Sequence, residues 1–358
     1  MHKRNTEIDI LRAYSALMVF GLHLYLISCQ QILNKYAEMK DKIDLSTGVD
    51  IFFVISGFVV SDAHSRISRR SNSTSDSFIQ FISKRAYRLW PASAFWLVVC
   101  LILSIAFKEM SIFPDPLEVA RELLAGLAYV YNFQQYGNHT VLGYFWSLSV
   151  EWQFYLLMPL LFMLSTRNRT IVCVSALIIF AFYRPGGNSW WMFRIDGLLW
   201  GIIIFDHKDG KILSKVSDFL ISIASRSYAT RAAITFLVLL EIVAAPKYTE
   251  LKELGVSIST AFAFVLVLIA ANNRGATFCI LGRSIMNWIG LRSYSLYLCH
   301  IPVILSTIGV YKAIGIEIDI YIFTAITITA TLIFSDISYR CIELRYSKHA
   351  PVKLQEQS

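Results

Sequence analysis

Residues 8–29, IDILRAYSALMVFGLHLYLISC, form an almost unbroken apolar run near the amino end of the chain. At about 1.5 Å of rise per residue, a helix of that length crosses a bilayer's hydrocarbon core of roughly 30 Å. The run nevertheless carries Asp9, Arg12 and His23. Asp9 and Arg12 lie near its start, at headgroup depth, where a long side chain can snorkel. His23 lies well inside it. Eleven helical steps place Arg12 and His23 within about 20° of one another and roughly 16 Å apart along the axis. A polar group at that depth is costly and faces either a protein interior or a wet cavity. Two readings of His23 follow: a functional histidine, or an interhelical hydrogen bond holding two helices together.

The rest of the chain repeats the pattern. Of the 358 residues, 56% are hydrophobic and 16% charged, and the mean hydropathy is +0.53. Such values predict an all-α, polytopic membrane protein and leave no polar stretch long enough for a soluble domain. Further spans are expected at 48–63, 89–107, 146–165, 170–183, 190–206, 232–246, 256–271, 293–311 and 320–340, making about ten. The turn YRPGGN parts the fifth from the sixth, and Trp190-Trp191 is ordinary interfacial usage. Leu117–Phe133 reads as a helix that lies at the interface or inserts only in part, because Glu118, Arg121 and Glu122 interrupt it. Residues 207–231 and 271–292 read as basic, polar loops, and RRSNSTSDS as a polar stretch between spans. The net charge of +8 comes from Lys and Arg gathered in alternate loops. The positive-inside bias accounts for it without nucleic acid and puts both termini in the cytoplasm. The expected organisation is a membrane domain over 1–345 and a short polar tail over 346–358. MHKRNTEID lacks a small-residue cleavage site and reads as the flank of a retained first span. The six cysteines are scattered singly, so neither a disulfide framework nor a metal site is expected.

The polar residues within the spans fall into layers. His23, Asp50 and Glu151 lie near the outer ends of their spans, and Arg194 and Asp196 join them; Ser56-Gly57 marks a place for close helix approach. Arg12, Arg85 and Arg88 lie on the cytoplasmic side, and His300 falls between. For Glu151 the alternative to a catalytic role is a buried acid that caps a helix or pairs with Arg194. For Arg12 it is an ion pair with Asp9, one turn away. For His300 it is a packed partner of the kink at Pro302.

Five stretches together resemble the acyltransferase-3 family of integral-membrane O-acyltransferases, which decorate bacterial surface polysaccharides. They are Arg12 followed by His23; GVDIFFVISGF at 48–58; FISKRAYRLWP at 81–91; WSLSVEWQFYLLMP at 146–159; and SYSLYLCHIPV at 293–303. YRCIELRYS adds Glu343. Trp152 and Cys299 depart from the family's more common glutamate and tryptophan. No esterase-like domain follows the last span, so a stand-alone form is expected. The resemblance implies a multi-pass protein of the bacterial plasma (inner) membrane. It would move an acyl group, acetyl by preference, from cytoplasmic acyl-CoA (acetyl-CoA) to a hydroxyl of an envelope glycan or lipid-linked oligosaccharide. No permanently bound cofactor or metal is expected, and the oligomeric state is not legible.

The chemistry of these residues agrees with that activity. An alcohol is a poor nucleophile without a base, and histidine titrates in the useful range. His23 is the candidate base, and Glu151 is the carboxylate that would orient its ring and stabilise the imidazolium. Arg85 and Arg88, at i and i+3, present two guanidinium forks on one helix face for the donor's phosphates, although cytoplasmic arginines also serve topology alone. Arg12 would steer the donor's arm. Asp50, Ser56, Arg194, Asp196 and His300 form an acceptor-binding or structural polar layer. No GxSxG elbow and no HxxxxD pair occurs, which argues against a soluble serine-esterase mechanism. The rival from another class is a proton-coupled transporter of a small polar solute. Intramembrane His, Asp, Glu and Arg suit one, but no inverted repeat is visible.

Overall fold

The structure, a computed structural model, describes residues 4–31, 44–134, 141–183, 193–248 and 252–348. Among these residues the regular structure is helical and no strand occurs. The helices are α1 (Thr6–Gln31), α2 (Gly48–Ser68), α3 (Thr74–Ala106), α4 (Pro116–Leu127), α5 (Phe145–Phe162), α6 (Thr166–Phe182) and α7 (Asp196–His207). They continue with α8 (Lys211–Ala224), α9 (Tyr228–Tyr248), α10 (Lys252–Ala271), α11 (Arg283–Leu291), α12 (Ser293–Ile314) and α13 (Ile320–Ser338). A π-helical turn, Tyr339–Glu343, and the short α14 (Leu344–Lys348) follow. Seven of them (α1, α2, α3, α9, α10, α12 and α13 with its extension) are long and apolar enough to cross a membrane. The other three expected spans are helical too, as α5, α6 and α7, but they are shorter or less apolar. The turn at YRPGGN, apart from its first residue, and Trp190-Trp191 lie outside the described residues.

The membrane assignment shows in how α13 distributes its side chains. Phe323, Thr327, Thr331, Ser335 and Ser338 are buried, while Ile322, Ile326, Ile333, Phe334 and Ile337 are exposed. Apart from Phe323, the residues facing protein are small and hydroxyl-bearing, and those facing outward are large and apolar, the reverse of a helix packed in water. Lipid supplies the apolar surroundings, and small residues let helices approach. Phe95, Val98, Ile102 and Ile105 of α3 form a second such outward stripe.

The chain forms two compact units. The first comprises Met1–Leu22, Tyr36–Asp62 and Leu157–Ser293. Its tightest crossing joins α2 to α7. A Cβ at Gly57 would lie 2.1 Å from the Leu198 carbonyl oxygen, and one at Gly201 would lie 2.4 Å from that of Val54. The close approach expected at Ser56-Gly57 is therefore real, and it sets Asp50 of α2 beside the start of α7. In the same unit, Gly290 of α11 meets α1 backbone to backbone. A Cβ there would fall on the Asp9 carbonyl.

The second unit comprises His23–Lys35, Ala63–Leu156 and Tyr294–Ser358. Ser73 caps α3 by accepting from the Asp76 N–H at 3.1 Å, so the helix begins well before the expected span and carries Arg85 and Arg88 within it. Trp96 of α3 donates to the Ser338 hydroxyl at 3.1 Å. Tyr294 of α12 donates to the Leu89 carbonyl at 2.8 Å. Those two bonds tie α3 to α12 and α13. Of the segment 117–133 read from the sequence as one helix, only the part up to Leu127 is α-helical, as the short α4 started by Asp115 and Pro116.

Three stretches expected as loops contain helix. α8 occupies most of the supposed polar loop over 207–231. Its Ile221 and Ala224 pack on Ile269 and Ala276, while Ile212, Val216 and Phe219 face outward. α11 occupies part of 271–292, and α2 runs on to Ser68. In α8 the lysines lie between apolar positions at helical spacing, which a composition-led reading merges into one polar tract.

Candidate active site

The second unit contains His23, His300, Glu151, Arg85 and Arg88, and the two histidines are in direct contact. His23, half-buried on α1, has its Nδ1 3.1 Å from Nε2 of His300 on α12. The other nitrogen of His300, Nδ1, lies 2.7 Å from the Tyr297 carbonyl oxygen. His300 therefore lies at the depth of His23, not between the two polar layers. It is fully buried, with the rings of Tyr144 and Tyr297 against it at centroid distances of 5.3 and 5.6 Å.

The positions of these aromatic residues trace to Pro302. A proline inside a helix cannot donate to the carbonyl four residues earlier, here that of Leu298. Tyr144 repairs the gap, its hydroxyl donating to that carbonyl at 2.8 Å. The Tyr297 hydroxyl donates to the Tyr144 carbonyl at 3.0 Å and lies 2.6 Å from that of Ser147. The proline thus draws Tyr144 into the site, and Tyr144 walls the His300 ring. Sequence reasoning missed Tyr144 and Ser147, although the carbonyl freed by Pro302 was a signal that a donor had to come from elsewhere.

Glu151 of α5 accepts a hydrogen bond from Tyr155 one turn on. The Tyr155 ring lies 5.8 Å from the Arg85 guanidinium, within cation–π reach, and Phe81 is equally close on the same helix as Arg85. Glu151 also acts on Tyr129. Burial pushes that phenol up to about 12, a hydrogen bond with Ser93 opposes the rise, and the Glu151 charge adds to it. Tyr129 is therefore a neutral phenol at physiological pH. Beside it, Gln153 donates to the Tyr129 carbonyl at 2.8 Å and exchanges hydrogen bonds with Asn132.

Arg88 is about one-third exposed, with Nε 3.9 Å from the buried carboxylate of Glu343. Ser295 donates to the other oxygen of that carboxylate at 3.1 Å. Glu343 ends the π-helical turn, which inserts one extra residue into the helix and rotates the glutamate inward. The resemblance singled out Glu343, but nothing local in the sequence pointed to Arg88 as its partner.

The remaining expected residues belong to the first unit. Arg194 donates to Asp50 at 2.6 Å, and Ser259 donates to the same oxygen at 3.2 Å. Both charges are buried, so this part of the expected polar layer is a desolvated ion pair. Asp196, two residues after Arg194, is buried and accepts from Thr260 at 3.4 Å. Ser56 is buried beside the α2–α7 crossing. Arg12 makes the ion pair with Asp9 that was one of its two readings, at 3.2 Å, while Arg4 grips the same carboxylate at 2.6 and 3.0 Å.

The chain is 29% identical to the O-acetyltransferase OatA of Staphylococcus aureus strain NCTC 8325 over 367 aligned positions, which cover 94% of this chain and 56% of that protein. The same values hold for OatA of strains COL and MW2. The chain thus spans little more than half the length of these relatives. No solved structure matches it. The model of the acyltransferase-3 family, described as an acyltransferase domain, matches residues 5–340. With that match across nearly its whole length, the chain belongs to the acyltransferase-3 family.

Proposed function

We propose that this protein is a membrane O-acetyltransferase that moves an acetyl group from cytoplasmic acetyl-CoA to a hydroxyl of an envelope or exported glycan. In the reaction, the acceptor oxygen attacks the thioester carbonyl while His23 takes the hydroxyl proton. The carbon–sulfur bond then breaks, CoA leaves as a thiolate that recovers a proton, and the products are the acetyl ester and free CoA. Glu151 assists by stabilising the charged imidazole. Arg85 and Arg88 bind the donor's phosphates, and Arg12 steers its pantetheine arm. The membrane domain covers 1–345, both termini are cytoplasmic, and the membrane is the bacterial plasma membrane.

One observation carries this reading: a half-buried histidine inside a spanning helix, its ring held by a second histidine, in the same compact unit as a carboxylate and an Arg-x-x-Arg pair. A transporter would use the same residue types but needs no arginine fork for phosphate. The test is CoA release by the purified protein supplied with acetyl-CoA, with and without a glycan acceptor. Release that depends on acceptor, with acetyl appearing on the glycan, is expected. Intact acetyl-CoA in the presence of every glycan class of the producing cell's envelope would overturn the proposal.

A further inference from the structure

The hydrogen-bond chain through His300 carries information about which nitrogen of His23 does the chemistry. The Tyr297 carbonyl only accepts, so the 2.7 Å contact at His300 Nδ1 requires a proton on that nitrogen. In a neutral imidazole the other nitrogen, Nε2, then bears a lone pair. That lone pair lies 3.1 Å from His23 Nδ1, which must supply the hydrogen. His23 is left with its Nδ1 protonated and its Nε2 free of a proton. The Tyr144 and Tyr297 rings restrain His300 from flipping, and Tyr144 is itself fixed on the carbonyl freed by Pro302.

We infer that His300 is a positioning residue that selects the tautomer of His23 and makes Nε2 the basic nitrogen. The inference rests on His23 being the base. When His23 Nε2 takes the acceptor's proton, the imidazolium keeps its Nδ1–H on His300, so the ring neither turns nor changes partner during transfer. His300 holds no proton for the reaction and does not touch substrate. It performs for His23 what a backbone carbonyl or a carboxylate performs for many catalytic histidines.

Glutamine and asparagine separate the two ends of the His300 ring. In His300→Gln an amide oxygen reaches the position of Nε2 and accepts from His23. In His300→Asn the amide reaches only the Nδ1 position, so the Tyr297 contact survives and the His23 contact is lost. The expected result is turnover near wild type for His300→Gln. His300→Asn and His300→Ala should lose about tenfold, equivalent to about 1.4 kcal/mol and the scale of one hydrogen bond, at unchanged acetyl-CoA affinity. A residue that only filled space would rank these variants by thermal stability instead.

A second measurement does not depend on activity. With 15N-labelled histidine in the purified protein, the His23 signals are those lost in His23→Gln. They should report a protonated Nδ1 and an unprotonated Nε2, and His300→Ala should scramble that preference. A His23 protonated on Nε2, or equal turnover in all three His300 variants when folded, would overturn the inference. If the tautomer is as inferred but His23→Gln remains active, the base assignment fails and the tautomer assignment stands.

Discussion

Removing one partner of the Asp50–Arg194 pair should be among the most destabilising single changes in the first unit. Both charges are buried, their contact is 2.6 Å, and Ser259 adds a second donor to the same carboxylate oxygen. At an effective dielectric of about 20, charges centred about 4 Å apart attract by about 4 kcal/mol. Arg194→Met leaves the Asp50 carboxylate buried without its cation, at a cost of about 3–5 kcal/mol. Asp50→Leu should cost a similar amount by stranding the guanidinium. The double variant Asp50→Leu/Arg194→Met strands neither, and replacement of a buried pair by apolar groups is often neutral. Thermal unfolding of the detergent-purified protein, run as a double-mutant cycle, measures the coupling. Strong destabilisation in each single variant and recovery in the double is the expected pattern. Additive losses, with the double variant least stable of all, would refute the account of the pair as a self-contained structural unit. If the double variant is stable but inactive, the pair also belongs to the acceptor site.

Three further outcomes are expected. Arg88→Ala should weaken acetyl-CoA binding by about 1.5–3 kcal/mol, the range for hydrogen bonds to charged groups, and Arg88→Lys should restore only part of it because an ammonium lacks the planar fork; isothermal titration checks both. Tyr144→Phe should cost about 1–3 kcal/mol in thermal stability by leaving the Leu298 carbonyl without its donor, whereas Pro302→Ala should make that substitution nearly silent. A reporter fused to the carboxy terminus should be active in the cytoplasmic form only, and activity of an exported form would overturn the proposed topology.

Much of the fold could be read from hydropathy because lipid imposes a simple rule: each spanning helix must be apolar for most of its length. The rule fails for short helices with charged residues between their apolar positions, α8 above all. α8 was hidden by Lys211, Lys215 and Asp218, although Ile212, Val216, Phe219 and Ile223 repeat at helical spacing. For the site, His23 was conspicuous because an ionisable residue in an apolar run needs a reason. Its ring partner was not. His300 lies 277 residues away, and no periodicity relates α1 to α12. The same holds for Asp50 and Arg194, 144 residues apart, which sequence depth placed in one layer without showing that they neutralise each other. Glu343 needed the π-helical turn to face Arg88, and a one-residue insertion in helical hydrogen bonding leaves no mark in composition.

The central claim is that His23 is the general base, and His23→Gln tests it most directly. Glutamine keeps much of the ring's size and its hydrogen bonding but cannot take up a proton at neutral pH. Acetyl transfer to the glycan should be measured at saturating acetyl-CoA, together with donor affinity and the amount of folded protein. The account predicts turnover lower by about 10²–10⁴-fold, the usual contribution of a positioned base, with acetyl-CoA affinity unchanged because Arg85 and Arg88 are intact. Turnover near wild type in folded His23→Gln would contradict it and leave His23 as a hydrogen bond between two helices.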